Sequence, residues 1–142
     1  MKQDVSVGKN AKLTVGGENG KFTNIVFEEA LTNDSKLIFT GNATVAINSL
    51  VNNGIASMER TATNVAHSVK VDNLVNAAGA KFNVGAYTQL AINKALTNDG
   101  ELNIIASGTA NTSTDGTVEI TSAATASNNG TIDNAGVYKS VG

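Results

Sequence analysis

Few side chains in this 142-residue sequence are of the types that carry acid–base, nucleophilic or metal chemistry, and they are scattered. His67 is the single histidine and there is no cysteine. A Ser–His–Asp arrangement therefore has one possible base, and a thiolate or His-rich metal site has no ligand set. His67 stands beside Val69 in a strand-like stretch, which predicts an exposed or edge-strand position. Glu28 and Glu29 are adjacent. On an extended chain neighbours point to opposite faces, so these two cannot flank one glycosidic bond as an acid and its partner. Asp4, Asp34, Asp72, Asp99, Asp115 and Asp133 fall singly along the chain, mostly in turns. Asp99-Gly100 and Asp115-Gly116 read as turn chemistry in preference to cation ligation.

Sugar-processing grooves need aromatic platforms and basic groups, and these are scarce too. Arg60 is the sole arginine, Tyr87 and Tyr138 are the two tyrosines, and tryptophan is absent. Four Asn-x-Ser/Thr sequons, at Asn33, Asn42, Asn111 and Asn129, are what chance supplies in a chain so rich in both residue types. "GGENG" at 16–20 reads as a loose turn without the strand–helix context of a phosphate loop. Regular T-x-T ladders suited to ice do not occur. The expectation is a protein with no catalytic, cofactor-binding or metal-binding residues, acting without turnover.

What, then, do the remaining residues build? The length suits a single domain spanning 1–142. A formal charge of −2 and a pI near 5.3 argue against nucleic acid as a partner. No apolar run reaches the roughly 18 residues a membrane helix needs. The opening "MKQDVSVG" lacks the apolar core of a signal peptide, which is expected if the chain is a piece of a longer exported protein. Proline is absent, glycine numbers 14, and asparagine supplies nearly one residue in seven. Asn and Gly tolerate the left-handed backbone of tight corners, so the chain is predicted to be mostly strand and corner.

Period-two alternation marks the strands. Leu13 and Val15, Leu37 and Phe39, Val45 and Ile47, Val69 and Val71 each share a face. So do Phe82 and Val84, Leu90 and Ile92, Leu102 and Ile104, Val118 and Ile120. Lys, Thr, Asn and Glu fill the opposite faces. The Ala-rich stretch 52–71 leaves room for one or two helical turns around Met58, Glu59 and Arg60.

The strands belong to a repeat. "AINSLVNNG" (46–54) and "AINKALTNDG" (91–100) have the same order of parts: strand, polar step, Leu, Asn-rich corner, Gly. Related corners at 31–34 and 74–76, with halves near 7–15 and 126–136, recur roughly 19 to 30 residues apart, within the solenoid range. A five-residue strand spans about 17 Å, so two or three strands with corners return the chain above its own start. Stacking at about 4.8 Å then makes columns of apolar residues inside and places Asn over Asn at the corners. The predicted fold is all-β: a single-stranded right-handed parallel β-helix of about five to six coils with irregular loops. An antiparallel sandwich is the alternative and would put hairpins at Asn53-Gly54 and Asn129-Gly130.

The phrases "LTNDGELNI", "LVNNG" and "NNGTIDNAG" resemble the repeats of β-helical passenger domains in bacterial autotransporters and filamentous-haemagglutinin-like adhesins. The likeness lies in repeat style, strongest at 31–54, 74–105 and 126–136. It implies an extracellular, cell-surface rod that presents a face to protein or glycan on a target surface, with no universal site residues. Two other readings stand beside it: a phage or virion fibre or capsid-decoration protein, and a polysaccharide-active β-helix fragment. Because open strand edges template aggregation, the ends are expected to be capped by "MKQDVSV" or by the Met58–Val65 excursion, or to contact another copy.

Overall fold

The computed structural model describes residues 2–16, 23–40, 43–59, 67–105, 116–121 and 124–140. They form β1 (Val5–Val7), β2 (Lys12–Gly16), β3 (Thr23–Asn33), β4 (Lys36–Thr40), β5 (Ala43–Asn52), β6 (Ile55–Met58) and β7 (His67–Asn76). The series continues with β8 (Lys81–Val84), β9 (Thr88–Asn98), β10 (Glu101–Ile104), β11 (Thr117–Ile120), β12 (Thr125–Asn128), β13 (Thr131–Asn134) and β14 (Val137–Ser140). One sheet runs β1-β3-β5-β7-β9-β11-β14, with β12 also on β9; the other runs β2-β4-β6-β8-β10-β13. Apart from β11 and β12, which both lie on β9, successive strands fall in alternate sheets, and each strand pairs in parallel with its equivalent one turn away.

This is the parallel β-solenoid that the repeat spacing predicts. It makes about four turns, slightly fewer than the expected five to six. Partial turns (β1–β2 at one end, β11–β14 at the other) account for the difference. The sandwich alternative is excluded, because Asn53-Gly54 and Asn129-Gly130 lie at corners between the two sheets and every pairing among the described residues is parallel.

Each long strand of the first sheet bends midway. The register slips between Phe27 and Ala30 of β3 and again beside Val71 and Asn73 of β7. Above β9 the two halves become separate strands: β11 pairs with Gln89–Ile92 and β12 with Ala95–Asn98. A turn therefore has three faces; at the bend two residues of β5 and β7, and three of β3 and β9, lie between the buried positions.

Inside, like stacks on like. Leu31, Leu50, Leu74 and Leu96 form one in-register column. Val45, Val69, Leu90 and Val118 form another, and Ile47, Val71, Ile92 and Ile120 a third. All are buried, at about 1.5–3 kcal/mol of hydrophobic stabilisation each. In the second sheet small Ala56 lies between Leu37 and bulky Phe82, so the interior stays filled without strain.

The corner column is polar. Asn33 donates its side-chain amide to Asn52 at 2.8 Å, Asn52 to Asn76 at 2.9 Å, Asn76 to Asn98 at 2.8 Å and Asn98 to Asn128 at 2.8 Å. Each amide also donates to the first carbonyl of the next turn's short strand: Ile55, Lys81, Glu101 and Thr131 respectively, at 2.8–3.1 Å. The first four amides are fully buried, and only a self-complementary donor–acceptor side chain can repeat at that position without leaving unpaired groups. Two residues past the ladder the chain is tightly constrained at Gly54, Gly100 and Gly130. A Cβ on Gly54 would lie 2.3 Å from the Ser35 carbonyl oxygen, and one on Gly100 2.3 Å from that of Ala77.

Two expectations are corrected. In the stretch 52–71, residues Ile55–Met58 are β6 and His67 opens β7, so strand replaces helix there; 60–66 lie outside the described residues. Met58 ends β6 and is 1% exposed in the core; Arg60–Val65, most of the Met58–Val65 excursion expected to cap an end, lie outside the described residues. At the N-terminus, Val5–Val7 extends the sheet against β3, becoming the edge that it was expected to cover.

Asn76→Ala removes one acceptor and two donors from a dry column. It is expected to destabilise the fold by about 2–4 kcal/mol, from several buried groups unpaired at about 1–3 kcal/mol each. Asn128→Ala, at the exposed end, should cost about 1 kcal/mol or less. Urea unfolding followed by circular dichroism compares the two, and equal losses would contradict a cooperative buried ladder. Gly54→Ala should destabilise by about 1–3 kcal/mol or more through overpacking. Gly8→Ala, where an added Cβ meets nothing within 4 Å, should be close to neutral in the same assay.

Candidate functional site

The stack separates most of the residues that the sequence singles out. His67 pairs with Ala43 on one side and Thr88 on the other, placing it in a central strand and correcting the edge-strand expectation. Glu28 and Glu29 are both exposed, because they sit where β3 carries one residue more than β5; the bend overrides the simple alternation. Asp34 accepts from Asn53 at 2.8 Å and Asp99 from Asn129 at 3.2 Å, both at outer corners, so these carboxylates do turn chemistry. Asp4 accepts the Ala30 N–H at 3.1 Å, and Asp133 is exposed on β13. Arg60, Asn42, Asn111, Asp115 and most of "GGENG" lie outside the described residues. Of the described sequons, Asn33 is sealed in the ladder, whereas Asn129 is exposed. Among the described residues no three His, Cys, Asp or Glu side chains converge as a metal site.

Two surface clefts gather functional groups. The larger, about 450 Å³, opens at the end of the short strands and is lined by Ser57, Met58, Glu59, Asn83, Gly85, Ala86, Tyr87 and Ile105. Its polar wall is the outward column of the second sheet, in which Ser57, Asn83, Asn103 and Asp133 fall in register. Asn83 donates to the Ser57 hydroxyl at 3.2 Å, and Asn103 donates to the Asn83 carbonyl oxygen at 2.9 Å. This is a second, half-exposed amide ladder, parallel to the buried one. Ile105, 45% exposed, supplies an apolar wall.

Tyr87 stands at the rim with φ of 64°, in the left-handed region. The turn that holds it is closed by Thr88, whose N–H and hydroxyl both donate to the Gly85 carbonyl, at 3.3 and 2.6 Å. A bulky residue at positive φ costs on the order of 1–2 kcal/mol that Gly would not. The composition of the chain shows that Tyr87 exists but not that a turn holds it beside Asn83.

The smaller cleft, about 260 Å³, crosses the bend of the first sheet and includes Val26, Glu28, Asn48, Lys70, Asp72 and Asn93. Glu28 thus shares a cleft with Asp72, a residue 44 positions away that only the register of β3, β5 and β7 brings near (72 − 28). Asp72 is engaged by the Lys94 ammonium and by the Asn93 amide, both at 3.5 Å. Neighbouring Glu29 is not part of the lining.

No protein-family model, curated protein or solved structure matches the chain. The outward amide column and the Tyr87 cleft are therefore read on their own chemistry.

Replacing Tyr87 by Gly removes the left-handed cost while giving up the ring's contacts. Stability is expected to stay within about 1 kcal/mol of the native chain. Thr88→Val, which removes a buried hydroxyl donor, should lose about 1–2 kcal/mol. Thermal unfolding of the two variants checks this; a large loss for Tyr87→Gly would make the tyrosine structural.

Proposed function

We propose that the chain is a non-enzymatic, extracellular binding scaffold: a β-solenoid segment of a surface adhesin that presents the Ser57–Asn83–Asn103 face and the Tyr87 cleft to a glycan on a target surface. The observation that carries this reading is the juxtaposition in one cleft of a hydroxyl, a side-chain amide, a carboxylate and an aromatic ring. A pyranose offers the complement, since its hydroxyls both donate and accept while its C–H face packs on an aromatic ring. The stack supports the reading further by fixing Ser57 and Asn83 on paired strands and Tyr87 in a hydrogen-bonded turn, so little ordering of these groups is needed on binding. The repeat phrases, which resemble those of autotransporter and haemagglutinin-like passenger domains, point the same way.

A second reading, a structural fibre or capsid-decoration protein, is supported by the stack of parallel strands itself, which makes a stiff repeat frame whatever its side faces bind.

Calorimetric titration with a panel of neutral oligosaccharides distinguishes the readings. Binding is expected for at least one member, weakened about tenfold or more by Tyr87→Ala or Asn83→Ala, each removing about 1–3 kcal/mol of contact. The recovered sugar should have unchanged mass, since the proposal includes no turnover. Absence of binding across the panel, or binding indifferent to both substitutions, would overturn the glycan assignment; a shortened sugar would favour the polysaccharide-active reading.

A further inference from the structure

The outer face of the second sheet carries another column beside the one that holds Ser57 and Asn83. Lys12, Lys36, Ile55, Lys81 and Glu101 each open a short strand and fall in register. Lys12, Lys36 and Lys81 are exposed, and none of the three forms an ion pair among the described residues. Ile55 is 44% exposed between two of them. A single exposed isoleucine is ordinary on a protein surface. Here its position, midway between two unpaired ammonium groups, gives it meaning.

Like charges one strand apart repel, so Lys12 beside Lys36 costs stability that a neutral pair would not. The carboxylates nearby do not offset that cost. Asp34 is engaged by the Asn53 amide and Asp99 by the Asn129 amide. Glu59 lies four residues beyond Ile55, about 13 Å along the chain. Glu101 is three strands from Lys36 in the column. An anion from outside the chain would relieve the repulsion.

The backbone under this column is held by the buried ladder. Asn33 donates to the Ile55 carbonyl at 3.1 Å and Asn52 to that of Lys81 at 2.8 Å. The N–H groups of Ile55 and Lys81 donate to the Ser35 and Gly54 carbonyls at 2.8 and 2.9 Å. With neighbouring strands about 4.8 Å apart, Lys36 and Lys81 leave the sheet about 9.6 Å from one another. That interval is close to the length of one disaccharide in an extended polysaccharide.

We infer that the Lys36–Ile55–Lys81 column binds an anionic polysaccharide in which acidic and neutral sugars alternate, lying across the strands along the axis of the stack. Each ammonium, a compact charge with three donors, takes one carboxylate of the polymer. Ile55 packs under the C–H face of the neutral sugar between them and loses exposed apolar surface. Lys12 extends the positive run on one side, and Glu101 repels an anion beyond Lys81 on the other. Because the ladder presets the spacing, little order is lost on binding. The column shares a sheet with the Tyr87 cleft but uses none of its lining side chains, so either assignment stands without the other.

The test is calorimetric titration with an oligosaccharide of alternating glucuronate and N-acetylglucosamine, beside an oligogalacturonate of equal length with a charge on every sugar. The alternating sugar is expected to bind more tightly of the two, and to weaken as salt is raised. Lys36→Gln and Lys81→Gln should each weaken it about threefold, and together about tenfold. Ile55→Ser should also cost about threefold. Lys70→Gln, which makes the same charge change on the first sheet, and Tyr87→Ala should leave affinity within about twofold. Circular dichroism checks that these variants keep the fold. No binding at low salt would overturn the inference, as would equal or tighter binding of the oligogalacturonate. So would a loss from Lys70→Gln as large as that from Lys81→Gln, or a tenfold loss from Tyr87→Ala, which would move the sugar into the cleft.

Discussion

A buried primary amide must find a donor for its oxygen and acceptors for its two N–H hydrogens in a dry interior, and the rest of this structure depends on how that requirement is met. Stacking Asn33, Asn52, Asn76 and Asn98 lets each satisfy the next, because the asparagine side chain is its own complement. The same contacts set the register. A slip of one residue would turn an amide outward and bring its neighbours to the wrong face, exposing a leucine such as Leu50 or Leu74 at the same time. Apolar columns alone distinguish in from out; the amide column also distinguishes one position along the strand from the next. Stability and specificity are thus supplied by different residues of the same turn.

That division explains how turns of unequal length share one geometry. Successive ladder asparagines are separated by 19, 24, 22 and 30 residues. The extra residues accumulate between the short strand of one turn and the long strand of the next, and at the bend, while the corner after the ladder stays short apart from the wider one after Asn76. The larger cleft lies at that variable end, beside Tyr87 and Ile105. A fixed corner on one side and freedom on the other is an economical way to place changeable groups on an unchanging frame, since loops tolerate insertion where a packed ladder does not.

The strands that alternate cleanly were legible from sequence: Val45 with Ile47, Val69 with Val71, Leu102 with Ile104 each proved to face inward. The first half of β3 was not marked out, because Val26 is apolar yet points outward at 47% exposure and breaks the alternation of Ile25 and Phe27. The helical turns expected near Met58 failed because pairing of β6 with β4 and β8 outweighs the local preference of an Ala-rich stretch. Glu28 and Glu29 were assigned opposite faces from strand geometry, and the bend placed both in solvent. The candidate site was less readable still. Its groups, Ser57, Asn83 and Tyr87, are common polar residues far apart in the chain, and nothing in their spacing announces a cleft.

The sequence by itself determined the architecture and the identity of its corners, because a short-range signal, apolar alternation ended by Asn and Gly, recurs once per turn and every turn must bury the same face. Tertiary structure alone decided which asparagine lies over which, and that Glu28 lines a cleft with Asp72 while its neighbour Glu29 does not. The physical reason is that these relations depend on the exact number of residues between corners and on the bend within each long strand. Both are invisible to periodicity, and both act only once one turn rests on another.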